Sequence, residues 1–412
     1  MSKRYEITQE EVDAAWKAVS QAAGGSGIDG KSIKQIEERL DDELYKLWNR
    51  LSSGSYQAQA VKIVSIPKAG GGVRKLGIPT VTDRVAQTVI KNRLVKEVDH
   101  LFYDDSYAYR EGKSAIEAVL KTRERCMRNA RGWVIDIDIK GFFDNLDHEI
   151  MMQILSKHTQ DKLILLYSKR FIEAQAIEED QERISRNKGT PQGGVISPVL
   201  ANLYLHVAFD EYMHKEYPRI PYERYADDII VHCASYKQAE YVLSIIRKRL
   251  KEHKLELNED KTKIVYAGRY NDYDQESHNI PRKFTFLGYD FKPRGYKGKT
   301  VYTPAIGQGA LKMIRQKLQA IRIMSMTHLP IEEVVNKINP ACRGWINYYG
   351  HSRRSRLREL VHLVNNRLRR YLEKKHKLSR GKAWRTLMTM KKEHPRLFVH
   401  WYMITEVPQR AV

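Results

Sequence analysis

Tyr225-Ala226-Asp227-Asp228 sets two neighbouring carboxylates between two short apolar runs, which predicts a β-hairpin with the acids at its turn. Adjacent carboxylates repel each other unless a cation lies between them. Hard divalent metals take oxygen ligands, commonly one or two carboxylates together with substrate phosphates. The pattern therefore suggests a two-metal site, in which one ion activates an attacking oxygen and the other holds a leaving oxygen. An ordinary polar turn, where Asp is common, accounts for the same four residues, so other parts of the chain must decide.

Such chemistry needs a further carboxylate from a separate strand. Residues 133–139 alternate with a period of two: Trp133, Ile135, Ile137 and Ile139 share one face, and Val134, Asp136 and Asp138 share the other. Spacing alone leaves both Asp136 and Asp138 open, but Asp138 is nearer the C-terminal end of the strand, where a site opens. The elements that must hold these acids are legible in outline. A loop over 24–30 precedes an amphipathic helix over 33–51 that stops at Ser52-Ser53-Gly54. Residues 61–67 read as a strand, turned by Gly70-Gly71-Gly72 into a second strand over 73–78, with basic residues on both arms. Helices are expected over 82–98, from Asn145 or Asp147 onward, from Ser197-Pro198 to Leu205, and over 236–253. Asn258 and Lys261 fall in a loop before a strand, and 284–291 reads as another strand. From Ala310 the chain is predominantly helical, with Pro330, Pro340 and Pro395 marking boundaries. The order is α+β, followed by a basic helical tail.

The charge balance names a class of partner. The 412 residues carry 72 Lys+Arg against 50 Asp+Glu, a net charge of +22, which is the electrostatic footprint of a protein that meets a polyanion. The excess is concentrated late: residues 291–331 hold eight Lys and Arg and no acid, and 341–400 hold seventeen against three Glu. No apolar run approaches the ~18 residues of a membrane span, and residues 1–8 hold no signal-peptide core. These features predict a soluble, cytoplasmic protein without a membrane partner. Cys126, Cys233 and Cys342 are too few and too scattered for a disulfide framework or a zinc pair, and read as buried thiols.

Asp138-Ile139-Lys140-Gly141-Phe142-Phe143 together with Tyr225-Ala226-Asp227-Asp228 resembles the paired palm motifs of reverse transcriptases. Further segments resemble that family in order. Residues 66–80 look like its fingers motif. Ser106-Tyr107-Ala108-Tyr109-Arg110 resembles the next block, with Ala108, Tyr109 and Glu111 where Gly, Phe and Pro are more usual. Gly189 to Pro198, Asn258 to Thr262 and Phe286-Leu287-Gly288-Tyr289 complete the series. Gly27 to Gly30 and Gly344 to Tyr349 narrow the resemblance to group II intron-encoded reverse transcriptases, or maturases.

The resemblance implies an RNA-directed DNA polymerase with a right-hand fold and a role for each matching residue. Asp138 and Asp227 would ligate two Mg²⁺ ions, with Mn²⁺ able to substitute, Asp228 supporting and Ile139 offering its carbonyl. Lys68 and Arg74 would hold the nucleotide phosphates, and Gln192 would approach the sugar and template. Phe143 would exclude a 2′-OH, although either Phe142 or Phe143, not both, can face the site. Lys261 would act as general acid toward pyrophosphate. Arg110 would contact template RNA, and Arg353, Arg354 and Arg358, beside exposed Trp345, Tyr348 and Tyr349, would line an RNA groove.

The implied partners are an RNA template, a DNA or RNA primer, dNTPs and group II intron RNA, with oligomeric state left open. The implied domains are an N-terminal extension over 1–65, fingers and palm over 66–290, a helical basic thumb or maturase domain over 291–380, and a basic segment over 381–412. For that last segment, DNA binding and a packed helix pair are both open. No zinc-binding endonuclease domain is expected. The rival readings are a domesticated relative acting in repair or defence, a splicing-only RNA-binding maturase, and an RNA-templated RNA polymerase.

Overall fold

The computed structural model describes residues 4–67, 72–127, 132–178, 183–184, 186–268, 280–296, 299–351 and 354–406. These divide into two compact units. The first takes residues up to 118 and 135–263, and the second takes 119–134 and 264 onward. Helices and strands mix through the chain, giving the α+β class expected. No helix among the described residues is long and apolar enough to cross a membrane. All three cysteines are buried.

In the first unit, helix Gln9–Ala22 opens with a reciprocal cap, Thr8 Oγ1 accepting from the Glu11 N–H while the Glu11 carboxylate accepts from the Thr8 N–H. The segment expected as one helix over 33–51 is two, Ile33–Glu37 and Leu40–Ser53, because Arg39 leaves helical geometry. Asp41, Asp42 and Glu43 explain the break: they fill the first turn of the second helix, where the dipole favours acids. Strands β1 (Val61–Pro67) and β2 (Val73–Ile78) form the predicted antiparallel hairpin, with Ile66 opposite Arg74. Helix Val81–Val98 follows. Its Asp83 is buried and accepts from Tyr56, Thr80 and the Gln59 N–H, yet burial still raises its pKa.

Strand β3 (Trp133–Asp138) runs to the site, and two helices follow, Phe142–Asn145 and His148–His158, the second capped by Asp147. Short strands β4 (Ala176–Ile177) and β5 (Arg183–Ile184) extend the sheet begun by β1 and β2. Helix Ser197–Leu205 does not stop at Leu205: it widens into a π-turn over His206–Asp210 and resumes over Glu211–Glu216. Such bulges cluster at functional sites. Strands β6 (Tyr222–Tyr225) and β7 (Asp228–Cys233) form the expected hairpin, and β7 lies between β6 and β3.

One side chain ties these parts together. Arg224 on β6 is fully buried. Its guanidinium donates to both oxygens of Asp210 in the π-turn (Nε at 2.8 Å), to Asn202 Oδ1 at 2.7 Å, to Ser106 Oγ at 2.8 Å and to the Ala226 carbonyl at 3.4 Å. All of the fork's five N–H donors are thereby used. The Arg224 backbone is equally committed, its N–H donating to Asp105 at 2.8 Å and its carbonyl accepting from Tyr107 at 2.9 Å.

In the second unit, β8 (Lys263–Tyr266) leads from the first, and the strand expected over 284–291 is two: β9 (Phe284–Phe286) and β10 (Tyr289–Tyr296), with β11 (Lys299–Ile306) beside β10. Leu287 and Gly288, both at positive φ (49° and 78°), form the two-residue turn between them. Helices Gln308–Ala320, Ile331–Tyr349, Arg354–His376, Arg380–Glu393 and Val399–Glu406 complete it. Pro330 caps a helix as expected, whereas Pro340 lies inside one. Tyr348 and Tyr349 are not exposed: they pack on Tyr289, and the Tyr348 hydroxyl donates to the Leu287 carbonyl at 2.9 Å. Helix Arg380–Glu393 packs on Arg354–His376, and Val399–Glu406 packs on Ile331–Tyr349 and Arg354–His376, where Asn365 Oδ1 takes bonds from His400 (2.8 Å) and Trp401 (2.9 Å).

Removing one partner of a buried ion pair strands the other's charge. Asp210→Ala should therefore lower unfolding free energy by about 3–5 kcal/mol, read from urea midpoints, and a loss below about 1 kcal/mol would show that the pair carries no structural weight.

Candidate active site

Strand β3 ends where β7 begins beside it, so Asp138 and the hairpin turn are neighbours. A cavity of about 480 Å³ opens there, lined among others by Asp138, Asp227, Arg74, Phe143, Gln192 and Lys261. Residues expected from five separate segments are thus brought together. Asp136 stays outside the cavity, its carboxylate 3.3 Å from Lys263, and burial pushes its pKa up to about 6 against the pull of that ammonium. Of the two acids that spacing left open, Asp138 is the one that lines the cavity. Against the expectation that only one ring faces the site, both phenylalanines line the cavity, Phe142 buried and Phe143 half-buried.

The backbone delivers the acids by two devices. A bridge between Ile139 and Leu257 bonds the Asp138 carbonyl to the Asn258 N–H at 2.8 Å and the Lys140 N–H to the Glu256 carbonyl at 2.8 Å. It fixes the strand end and leaves the Ile139 carbonyl outside the pairing. Ala226 and Asp227 are the two turn residues of the β6–β7 hairpin, with Ala226 at φ 55°. Positive φ at a residue bearing a Cβ costs roughly 1–3 kcal/mol, here sustained by the Arg224 anchor. Asp228 begins β7 opposite Tyr225 and is not among the cavity residues.

The loop bearing Gln192 is fixed by contact with the β1–β2 hairpin. Gly193, at φ 155°, lies so close to Gly77 that an added Cβ would come within 2.3 Å of the Gly77 carbonyl oxygen. Arg74 on β2 and Gln192 are therefore held in one register.

Charge inside the cavity is unbalanced. The Lys261 ammonium sits 3.2 Å from each Asp138 oxygen. Among the described residues Asp227 has no such bond, and burial, joined by the charge of Asp138, raises its pKa despite Arg74 and Lys261. Among the described residues no group of three or more His, Cys, Asp or Glu forms a ready cage. Two carboxylates and a backbone carbonyl nevertheless make an all-oxygen donor set, which suits a hard divalent ion completed by water and phosphate oxygens.

Other expected positions fall elsewhere. Arg110 is turned inward, donating to the carbonyls of Tyr103 (2.8 Å) and Ser106 (2.9 Å) and pairing with Asp99, so it braces its own loop rather than facing RNA. Lys68 and Arg353 lie outside the described residues, as does the side chain of Arg354. Arg358 lines a separate cavity of about 830 Å³ in the second unit with Lys312, Arg315 and His362. That groove is basic, with Glu359 its single acid, and suits phosphates rather than metals.

Arg224 and Asp144 escaped the sequence reading, and Tyr109 entered it only as a departure from the family pattern. Arg224 stands beside Glu223 in the four-residue strand Tyr222–Tyr225, so its burial left no signal in the sequence. Asp144, next to Phe143, and Tyr109, at φ 59°, also line the cavity.

The raised Asp227 pKa fixes the sign of a stability effect. Between its unfolded and folded pKa values the native state holds the extra proton, so stability falls as pH rises through that window and the penalty is complete above it. Asp227→Asn should therefore melt higher than wild type at pH 7 without divalent ions, a gain that shrinks as pH approaches about 4, the unfolded carboxylate pKa. Added Mg²⁺ should raise the wild-type melting temperature more than that of the variant.

Comparisons with known proteins agree with the chemistry. Residues 66–291, more than half of the chain, match the family described as reverse transcriptase (RNA-dependent DNA polymerase). Residues 311–396 match the group II intron, maturase-specific domain. Protein YkfC of Escherichia coli is 31% identical over 300 residues, covering 63% of this chain and 78% of its own. The group II intron-encoded protein LtrA of Lactococcus lactis is 27% identical over 420 residues, covering 82% of this chain and 68% of its own. A putative COX1/OXI3 intron 1 protein of Saccharomyces cerevisiae is 25% identical over 365 residues, covering 76% of this chain and 41% of its own. The chain belongs to the reverse transcriptases, RNA-directed DNA polymerases, and among them to those carrying a group II intron maturase domain.

Proposed function

We propose that this reverse transcriptase extends a DNA or RNA primer with dNTPs along an RNA template, using the Asp138–Asp227 cavity, and that it binds group II intron RNA to assist splicing and mobility. The observation that carries the reading is the meeting of Asp138, Asp227, Arg74 and Phe143 in one cavity. When bound, two divalent ions, Mg²⁺ or Mn²⁺, activate the primer hydroxyl and stabilise the leaving oxygens.

The chain's own groups do the remainder. Asp138 and Asp227 hold the ions, with Asp228 supporting from the base of the turn and the Ile139 carbonyl as an added ligand. Arg74, with Lys68, binds the triphosphate and offsets charge as pyrophosphate departs. Phe143 fills the space that a ribose 2′-OH would need. Lys261, already in the cavity as an ammonium beside Asp138, gives its proton to the leaving pyrophosphate. In this reading 66–290 form fingers and palm, and 291–380 form the thumb, whose basic groove at Arg358 tracks phosphates. The paired acids weigh against a splicing-only protein, since a pure RNA binder gains nothing from carboxylates facing a polyanion.

Primer extension on an RNA template with Mg²⁺ and dNTPs tests this. Outer groups that merely support a metal ligand cost about 10–100-fold when lost, so Asp138→Ala should lower extension by more than about a hundredfold. Wild-type protein that binds RNA but extends no primer would contradict the reading.

A further inference from the structure

Asp144 has no part in the reading above. It follows Phe143, is exposed, and lines the same cavity. Both of its oxygens accept from one donor, Nε2 of Gln192, at 3.2 and 3.1 Å. A carboxylate only accepts, so the amide must turn its nitrogen to Asp144, and Oε1 is left as the end available to a ligand. The backbone on either side has no slack. Gly193 is pressed against the Gly77 carbonyl, and a Cβ on Gly194 would come within 2.5 Å of Ser197 Oγ. With the loop fixed, the remaining freedom of Gln192 is in its side-chain torsions, and the two contacts to Asp144 restrain these together with the amide orientation.

We infer that Asp144 is a positioning residue that locks the Gln192 amide with its oxygen toward the ligand, so that this corner of the cavity accepts a hydrogen bond from a sugar hydroxyl and disfavours a ligand lacking one. Unrestrained, the amide could present its NH₂ end equally well, and a hydroxyl or a bare carbon would be distinguished less. The inference rests on the proposed polymerase reading. Two hydroxyls have the required chemistry: the 3′-OH of the incoming deoxynucleotide and a 2′-OH of the RNA template.

The test is steady-state primer extension by the full chain with dTTP and with 2′,3′-dideoxy-TTP, on RNA and DNA templates of one sequence. Each ratio is internal to its variant, so a general loss of activity cancels. Asp144→Ala should lower one ratio by about tenfold, the worth of a single charge-assisted hydrogen bond. A fall in the dTTP to dideoxy-TTP ratio assigns the incoming nucleotide, and a fall in the RNA to DNA ratio assigns the template. Gln192→Ala should produce the same fall, with no further fall in the double variant. Asp144→Asn, which keeps an accepting oxygen, should retain part of the discrimination. Both ratios unchanged in Asp144→Ala, with wild type extending normally, would overturn this inference alone. Failure of wild type to extend would instead remove the polymerase reading, and the inference with it.

Discussion

The buried ion pair between Arg224 and Asp210 is the constraint on which the acidic turn depends. Taking a guanidinium and a carboxylate out of water costs several kcal/mol per ion unless every donor finds a partner. The partners here come from stretches of sequence far apart: Ser106, Asn202, Asp210 and the Ala226 carbonyl. That single requirement draws the 106–110 loop, the π-widened helix and the β6–β7 hairpin to one point. Hydrophobic residues of similar volume could stabilise the same core equally well. What they could not do is hold a carbonyl one residue before Asp227 while Ala226 sits at positive φ.

Electrostatics then separates the two carboxylates. Asp138 is neutralised in place by Lys261, while Asp227 stays half-buried and short of positive charge. A protein with a net charge of +22 has no shortage of lysines and arginines, so this local deficit is a property of the cavity rather than of composition. It makes the site unstable as a bare pair of acids and receptive to hard cations that arrive with phosphate. Strain and charge frustration at the turn are offset by the buried network beneath it, the usual bargain between stability and activity.

Much of this was legible in sequence, because paired acids at a hairpin turn and a period-two strand state their geometry locally. Period did not separate Asp138 from Asp136, since both share a face; in the structure Asp138 lines the cavity and Asp136 pairs with Lys263. Phe142 and Phe143 are alike by type, and packing gives them different burial although both line the cavity. Leu287-Gly288 looked like a strand interior because a leucine at positive φ leaves no sign in composition. Pro340 read as a boundary, yet it lies exposed within helix Ile331–Tyr349. Arg110 and Tyr348 looked available to RNA for the same reason: a polar or aromatic side chain shows its type in sequence but not its partners. The Arg224 network was invisible, because Arg224 stands beside Glu223 in a short strand of mixed polarity and its partners come from distant segments.

The central claim is that the Arg224–Asp210 pair shapes the turn and does not merely stabilise the fold. Replacing both partners at once, Arg224→Met with Asp210→Leu, removes the charges without stranding either. Primer extension by this double variant, at a temperature where circular dichroism shows it folded, separates the two roles. The account predicts recovery of much of the stability lost in Asp210→Ala with extension still slower than wild type by about tenfold or more, the cost expected of a misplaced site. A folded double variant that extends primers at the wild-type rate would contradict it.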